Sequence, residues 1–277
     1  MLLAVNSFAP EIPRAPKRSL RSMTALPLLS TGVRAALLFL ILGASLWRAG
    51  DCLAADERVR VAVYRGAAAC EDCAEAVKAA FARLGKRYEV AYLGPDEASD
   101  VTPASLSTYD IYVQPGGGQD IPGALRALGA SRVAAIKQYV VNGGRYLGLC
   151  MGAHLADASG IALIPQVLDA EAGRPNFPVK TIDDAVVRVV WQGVPEYVFF
   201  QDGPFLPENK WDQRFKVIAR YQNGDIAVAR YSHGAGLMVL SGPHPEAGDA
   251  WFEDIDADPA QRPSRPLFKD LVQHLGR

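Results

Sequence analysis

The sequence has almost no net charge, because its 29 basic side chains are balanced by 30 acidic ones. Without a surplus of positive charge it lacks the long-range attraction that draws proteins to nucleic acid or to an anionic membrane surface, so we expect no nucleic-acid partner. It also has no internal repeat and no low-complexity tract. What remains, 277 residues of which 49% are hydrophobic, is ordinary for a soluble globular domain with one large core.

Long apolar segments are scarce as well. The uncharged run at residues 35–47 follows several basic residues and would rise only about 20 Å as a helix, less than the ~30 Å bilayer core. Its length fits the apolar core of an export signal. We therefore expect residues 1–55 to form a signal peptide, concentrated in residues 23–55, that delivers a periplasmic or secreted protein. The alternative is an uncleaved helix that anchors the chain, and only then do we expect a membrane contact.

Only four cysteines are present. Removal of the signal takes Cys52 away and leaves Cys70, Cys73 and Cys150, an odd number in a compartment that permits disulfides. One thiol must then stay free or pair between chains. Cys70 and Cys73 are close enough to pair with each other, which would leave Cys150 available, but a redox, regulatory or ligand-binding role for the two stays open. No second cysteine pair follows, so we expect no structural metal site.

Strand-like and helix-like segments alternate along the chain. Strands are predicted at residues 58–64, 88–93, 109–114 and 146–149, and helices at residues 70–84 and about 131–141. Such alternation implies right-handed βαβ crossovers and a parallel sheet. From residue 186 onward, short β-like runs separated by turns such as Asn223-Gly224 predict antiparallel hairpins, with a last helix at residues 265–275. We expect an α/β fold of flavodoxin-like type: a doubly wound, mostly parallel sheet with helices on both faces and a C-terminal antiparallel β extension. This fold would form one domain over residues 56–277.

The strongest local motif is G-L-C-M-G at residues 148–152, which follows a predicted strand and opens a helix. A sharp strand-to-helix turn needs glycine on both sides of the nucleophile, because a β-carbon at either position would collide with backbone. The turn would place the Cys150 thiol at a helix N-terminus and leave the Met151 N–H free to stabilise an oxyanion. The competing interpretation is a buried structural cysteine between packing glycines.

Two further loops end neighbouring strands. The amides of Gly116, Gly117 and Gly118 can approach a ligand closely, as an oxyanion hole requires, although a glycine run is also typical of a plain turn. The H-P-E loop supplies His244 as a base and Glu246 as the carboxylate that orients it. Parallel strands would bring both loops to the edge of the sheet that carries the elbow.

Two polar residues are candidates for the wall of the pocket. His154 lies one helical turn after the nucleophile and on the same helix face; a hydrogen bond to a neighbouring loop is the alternative. Asp202 follows an aromatic strand, where it faces the pocket or caps a turn.

The three motifs in this order and spacing resemble the class I glutamine amidotransferase-like superfamily. V-Y-R-G at residues 63–66, V-Q-P-G-G-G at 113–118 and G-L-C-M-G-A-H-L-A at 148–156 resemble its biotin-protein ligase N-terminal subfamily, over roughly residues 58–250. The resemblance implies that Cys150 is the nucleophile, His244 the base and Glu246 its orienter, with the Met151 and Gly117 amides as oxyanion donors and no cofactor. No segment resembles the glycine- and arginine-rich adenylate loop of the ligase catalytic domain, so biotin ligation is not implied.

One departure from the superfamily bears on the substrate. Members that use glutamine usually carry Gln four residues after the nucleophile, where this chain has His154. We therefore expect an exported cysteine-nucleophile amidase or hydrolase that acts on a small amide-bearing molecule through an acyl-enzyme. The alternatives are a non-catalytic module that binds a ligand or partner, and a redox protein that depends on Cys70 and Cys73.

Overall fold

The computed structural model describes residues 58–276, and the predicted signal or anchor segment lies outside them. The strands are β1 (Val59–Tyr64), β2 (Tyr88–Leu93), β3 (Ile111–Gln114), β4 (Arg145–Leu149), β5 (Asp169–Ala170), β6 (Ala185–Trp191), β7 (Val194–Phe200), β8 (Pro204–Phe205), β9 (Lys216–Tyr221), β10 (Ile226–His233) and β11 (Gly236–Ser241). The helices are α1 (Cys73–Leu84), α2 (Pro103–Leu106), α3 (Ile121–Val141), α4 (Met151–His154), α5 (Asp249–Glu253) and α6 (Leu267–His274), with a 3-10 turn at Pro259–Gln261.

Nine strands form one sheet in the order β2-β1-β3-β4-β11-β10-β9-β6-β7. The first five are parallel to one another, and the last four continue the sheet with antiparallel pairs. With β11 counted as the fifth parallel strand, the parallel part has the 2-1-3-4-5 order of flavodoxin-like folds. The predicted fold class, a mostly parallel sheet with a C-terminal antiparallel extension, is confirmed.

Helices cover both faces of the sheet, because the central strands are apolar on both sides. In β1, Val61 and Val63 belong to the core that includes Phe81 of α1 and Leu271 of α6. Ala62, between them, belongs to the opposite core, which includes residues of α3. Within residues 58–276, no helix has the length and apolar character needed to cross a bilayer.

Two helix starts differ from the sequence-based expectation. The first helix begins at Cys73 instead of residue 70, because residues 70–72 form a turn in which Asp72 has a left-handed φ of 63°. The long helix begins at Ile121 instead of about residue 131, with a break at Gly129, where φ is 77°. Glycine and proline in its first half resemble loop residues in the sequence, and this explains why that half was not predicted.

Candidate active site

Cys150 lies directly after β4, on the turn into α4. Its backbone has φ 49° and ψ −109°, a conformation that non-glycine residues rarely adopt and that is typical of a strained nucleophile elbow. A β-carbon on Gly148 would lie 2.6 Å from the Gly152 carbonyl oxygen, and one on Gly152 would overlap the Gln114 carbonyl. The structure therefore requires glycine on both sides of Cys150, for the steric reason inferred from the sequence.

The helix predicted after the elbow is short. It comprises four residues, Met151–His154, and the chain then continues in turns. A helix dipole grows with the number of aligned peptides, so the dipole that the sequence led us to invoke for the thiolate is weak here.

Parallel pairing of β4 with β11 brings the H-P-E loop to the elbow. Leu149 is in register with Ser241, and the Cys150 amide donates to the Ser241 carbonyl at 2.8 Å. Beyond Ser241, the His244 amide donates to the Phe199 carbonyl at 2.8 Å, which forms an antiparallel bridge to the end of β7. The loop is thus fixed on two sides.

His244 and Glu246 form a buried pair. The Nδ1–H of His244 donates to Oε1 of Glu246 at 2.7 Å, and the two side chains are 3% and 1% exposed. This bond fixes the imidazole tautomer and leaves Nε2 to exchange a proton. Within residues 58–276, Nε2 has no hydrogen-bond partner. From α1, Arg83 donates to the backbone carbonyl of Glu246 at 3.0 Å and holds the loop in place.

The charge state of His244 follows from its neighbours. Burial of the ring lowers the pKa of His244, but the Glu246 carboxylate and Cys150 outweigh burial and raise that pKa to about 10. An imidazolium is therefore the favoured form at neutral pH. The Cys150 amide is hydrogen-bonded to Ser241 at the start of the H-P-E loop, so Cys150 and His244 lie at the same edge of the sheet.

Cys150 is the free cysteine of the described residues and is 4% exposed. Its thiol donates to the backbone carbonyl of Gln201 at 3.2 Å. The sulfur thus lies between the H-P-E loop and the loop after β7.

The glycine loop after β3 covers the elbow. A β-carbon on Gly116 would lie 2.7 Å from Cε1 of His244, and one on Gly117 would overlap the end of the Met151 side chain. The amides of Gly117 and Met151 donate to no backbone or side-chain acceptor within residues 58–276. Both are therefore available to an oxyanion. Gly118 has open space around it and lines the adjoining cavity.

Cys70 and Cys73 form a disulfide at the start of α1, with Cα atoms 5.3 Å apart. The Cys70 amide donates to the Gly116 carbonyl at 3.0 Å. A β-carbon on Gly116 would lie 3.6 Å from the Cys73 sulfur. The disulfide segment therefore contacts the glycine loop at Gly116, and the sequence did not indicate this contact.

A cavity of about 280 Å³ opens onto Cys150, and we call it the Cys150 pocket. Among residues 58–276, its lining contains no lysine or arginine. Beside the elbow and the glycine loop, its polar wall comprises Gln119, His154, Asp157, Ser159, Asp169, Gln201 and Asp202.

Both polar residues proposed for the pocket wall line this cavity. Burial lowers the pKa of His154, which favours its neutral form. Asp202 has a left-handed φ of 46°, and burial, together with nearby Asp169, raises the pKa of the Asp202 carboxyl. The part of this lining that the structure describes therefore carries acidic groups without a lysine or arginine to balance them.

Some residues around the site were missed by the sequence analysis. Phe199 and Trp251 pack their rings edge-on against the His244 ring, at centroid distances of 6.1 and 5.2 Å. Trp251 lies five residues after Glu246, and this closeness in sequence could have identified it as a neighbour of the site. Phe199 and Arg83 reach the site from distant elements, and no local sequence pattern indicates them. Within residues 58–276, no three His, Cys, Asp or Glu side chains are grouped to hold a metal ion.

Three features define a glutamine amidotransferase-like α/β fold. They are the parallel strand order β2-β1-β3-β4-β11, the cysteine elbow after β4 and the His-Glu loop after β11. Comparison with known proteins agrees. Residues 59–160 match the sequence model of the family described as biotin-protein ligase, N terminal, so the resemblance to that family is confirmed.

A biotin-protein ligase from Schizosaccharomyces pombe is 30% identical over 169 residues, which cover 52% of this chain and 26% of the ligase. The match therefore spans about a quarter of that relative. Among solved structures, PurLQS from Thermotoga maritima superposes with a TM-score of 0.52 and 15% identity, over 79% of this chain and 99% of the other. A glutamine amidotransferase superposes with a TM-score of 0.50 and 16% identity, over 78% and 99%. At these identities, the two structures establish the fold alone.

Proposed function

We propose that this protein is an exported cysteine-nucleophile amidase that hydrolyses a small amide through a thioester on Cys150. The observation that carries the proposal is the buried pair of His244 and Glu246 beside the elbow, with Nε2 of His244 left without a hydrogen-bond partner among the described residues. A nucleophile, an oriented base and free amide donors are the three elements that acyl transfer requires.

The chemistry proceeds in two halves. In the first, the Cys150 thiolate attacks the amide carbon, the Gly117 and Met151 amides stabilise the oxyanion, and the C–N bond breaks as His244 gives its Nε2 proton to the departing nitrogen. In the second, His244 takes a proton from water, the hydroxide attacks the thioester carbon, and the carboxylic acid leaves as the Cys150 thiolate is restored. The sum is amide plus water to acid plus amine.

The Cys150 pocket disfavours glutamine as the substrate. An α-carboxylate placed there would find no lysine or arginine in the lining and would meet Asp169 and Asp202 instead. Like charges at that range repel, and desolvation adds to the cost. We therefore propose a small amide whose acyl part carries no negative charge, and we do not propose biotin ligation.

The proposed export rests on the sequence pattern of residues 1–55. The disulfide between Cys70 and Cys73 supports it, because disulfides persist mainly in oxidising compartments. A reduced form of these cysteines in protein isolated from its native compartment would argue against export.

One observation favours a second candidate, a non-catalytic binding module. The bond from the Cys150 thiol to the Gln201 carbonyl stabilises a neutral thiol, since a thiolate cannot donate to an oxygen. In a binding module, that bond would persist and the thiol would stay inert.

Turnover separates the two candidates. The full chain is incubated with a panel of acyl p-nitroanilides that differ in acyl charge and size, and release of nitroaniline is followed together with the mass of the Cys150 peptide. The amidase should release nitroaniline from neutral or cationic acyl groups and carry a transient acyl adduct, which Cys150→Ala abolishes. Absence of adduct and release across the panel, from a folded protein, would favour the binding module.

A further inference from the structure

A second cavity, of about 270 Å³, includes in its lining the two aromatic residues that pack against His244 of the H-P-E loop. We call it the Trp251 pocket. Two aromatic rings and four carboxylates form most of its wall: Phe199, Trp251, Glu71, Asp72, Asp184 and Asp254.

The Trp251 pocket adjoins the reacting groups. Phe199 and Trp251 are the two residues whose rings pack against His244. Gln201, whose carbonyl accepts from the Cys150 thiol, lines both this cavity and the Cys150 pocket. The two cavities therefore meet at Gln201: one is lined by Cys150, Gly117 and Met151, and the other by the two rings that pack against His244.

Charge in the Trp251 pocket is of one sign. Its lining contains no lysine or arginine, and within residues 58–276 none of its four carboxylates forms a salt bridge or accepts a side-chain hydrogen bond. Each exposed carboxylate contributes little alone, but four around one concave site add to a negative potential. The four are not grouped as metal ligands, and aromatic faces attract organic cations.

Electrostatics link this pocket to the proposed general acid. Burial raises the pKa of the Asp184 carboxyl, and the charge of His244 lowers it. Asp184 immediately precedes β6, in which Val186 is in register with Phe199, and the Phe199 ring packs against the His244 ring. A cationic group held by Asp184 would therefore lie on the His244 side of the reacting groups.

We propose that the Trp251 pocket binds the amine half of the substrate, and that this half carries a positive charge on an apolar body. The substrate is then a secondary amide, not a primary carboxamide that releases ammonia. This inference rests on the amidase function proposed above.

The atoms and charges of the reaction balance with such a substrate. The Cys150 thiolate forms the thioester, the C–N bond breaks, and His244 gives its Nε2 proton to that nitrogen. The amine leaves from the Trp251 pocket, and its separate cationic group is unchanged throughout. Water then hydrolyses the thioester. No oxidant or further reactant is needed.

The test is equilibrium binding, so it requires no turnover. Choline and its neutral carbon isostere, 3,3-dimethylbutan-1-ol, are titrated by calorimetry into full-length Cys150→Ala protein. The cation should bind about tenfold more tightly than the alcohol. Asp184→Asn combined with Asp254→Asn should remove most of that preference, and Trp251→Leu should weaken binding of the cation. The matched control is Asp183→Asn combined with Glu253→Gln, which removes two neighbouring charges that do not line the pocket and should retain the preference.

Equal affinity for choline and the alcohol, or a preference that survives loss of Asp184 and Asp254 in folded variants, would overturn the proposal, whatever the reactivity of Cys150. The pocket could instead bind the cation while alkylation of Cys150 does not depend on His244. That result would overturn the amidase function, and with it the assignment of the Trp251 pocket to the amine half of the substrate. The two failures are thus distinguishable. Thermal unfolding of each variant shows whether it is folded.

Discussion

Nδ1 of His244 lies 2.7 Å from Oε1 of Glu246, in a site from which water is almost wholly excluded. In such surroundings the carboxylate is the main group that offsets the cost of burying an imidazolium. Glu246→Gln keeps a hydrogen-bonding side chain but removes the charge, so the pKa of His244 should fall. Less imidazolium then faces Cys150, and we expect the alkylation rate of Cys150 near pH 6 to drop about tenfold.

The pKa change in Glu246→Gln can be followed by NMR of the His244 ring, in parallel with alkylation by iodoacetamide. Glu253→Gln removes a carboxylate from an exposed position of α5 and serves as control. An unchanged pKa of His244 in Glu246→Gln would mean that the Glu246 carboxylate does not raise the pKa of His244.

Gly116 offers a test of the packing between the glycine loop and the histidine. Its missing β-carbon would lie 2.7 Å from Cε1 of His244, so Gly116→Ala should push the ring away from Cys150. A displacement of this kind costs about 10²-fold in a proximity-dependent reaction, and we expect a loss of that order in His244-dependent alkylation. Gly118→Ala adds a methyl group where no atom lies within 4 Å, and its effect should be far smaller. Equal effects of the two substitutions would contradict this packing.

Glu171 gives a pH dependence of stability. It is fully buried, and burial raises the pKa of its carboxyl from 4.5 to about 7. The folded protein therefore holds this proton more tightly than the unfolded chain. Its stabilising contribution is complete below pH 4.5 and is lost as the pH rises through about 7.

Glu171→Gln should remove this dependence. Its amide oxygen can still accept from Asn223, whose Nδ2 donates to Glu171 at 2.6 Å. At pH 8 we expect the variant to be more stable than the parent by about 1–2 kcal/mol, with the gain absent near pH 4. Urea unfolding at both pH values measures this difference in the free energy of unfolding. Glu208→Gln, at an exposed position, serves as the control. A variant less stable than the parent at pH 8 would show that the charged form is favoured in the folded state.

The disulfide provides a fourth prediction, which also addresses a redox function. Because the Cys70 amide and the Cys73 sulfur both support Gly116, replacing both cysteines with alanine should loosen the glycine loop and slow alkylation of Cys150 by a small factor, about threefold. Cys150→Ser should abolish amide turnover, whereas the double alanine variant should retain it. The reverse pattern, activity that needs Cys70 and Cys73 but not Cys150, would support a redox protein.

Much of this architecture could be predicted from the sequence, for local reasons. Gly148 is required by a contact within the turn, with the Gly152 carbonyl, whereas Gly152 is required by the neighbouring strand end at Gln114. The G-x-C-x-G spacing still identifies the elbow from the sequence, because a sharp strand-to-helix turn needs small residues at both positions. The H-P-E loop could be placed beside the elbow because it follows a strand, and loops at the carboxyl ends of parallel strands share one edge. The parallel sheet followed from the alternation of strands with helices, and the antiparallel extension from the short β-like runs separated by turns after residue 186.

What could not be predicted depends on contacts between distant segments. Phe199 reaches His244 because the end of β7, the edge strand of the sheet, bridges back to the H-P-E loop. Asp184 and Glu71 lie in the same cavity although they are far apart in the chain. Neither relationship has a local pattern. The length of α4 had no sequence signal either, because a glycine-flanked elbow predicts where a helix begins but not how long it is.

The central claim is that His244 activates Cys150, and the alkylation rate of Cys150 tests it most directly. Iodoacetamide labelling of the full chain and of His244→Ala is followed from about pH 5 to pH 9, with the Cys150 peptide identified by mass spectrometry. We predict a rate that stays high well below the ~8.5 pKa of a free thiol and falls by about tenfold or more in His244→Ala. A Cys150 that reacts no faster than a free thiol, or equally fast in both proteins, would contradict the account.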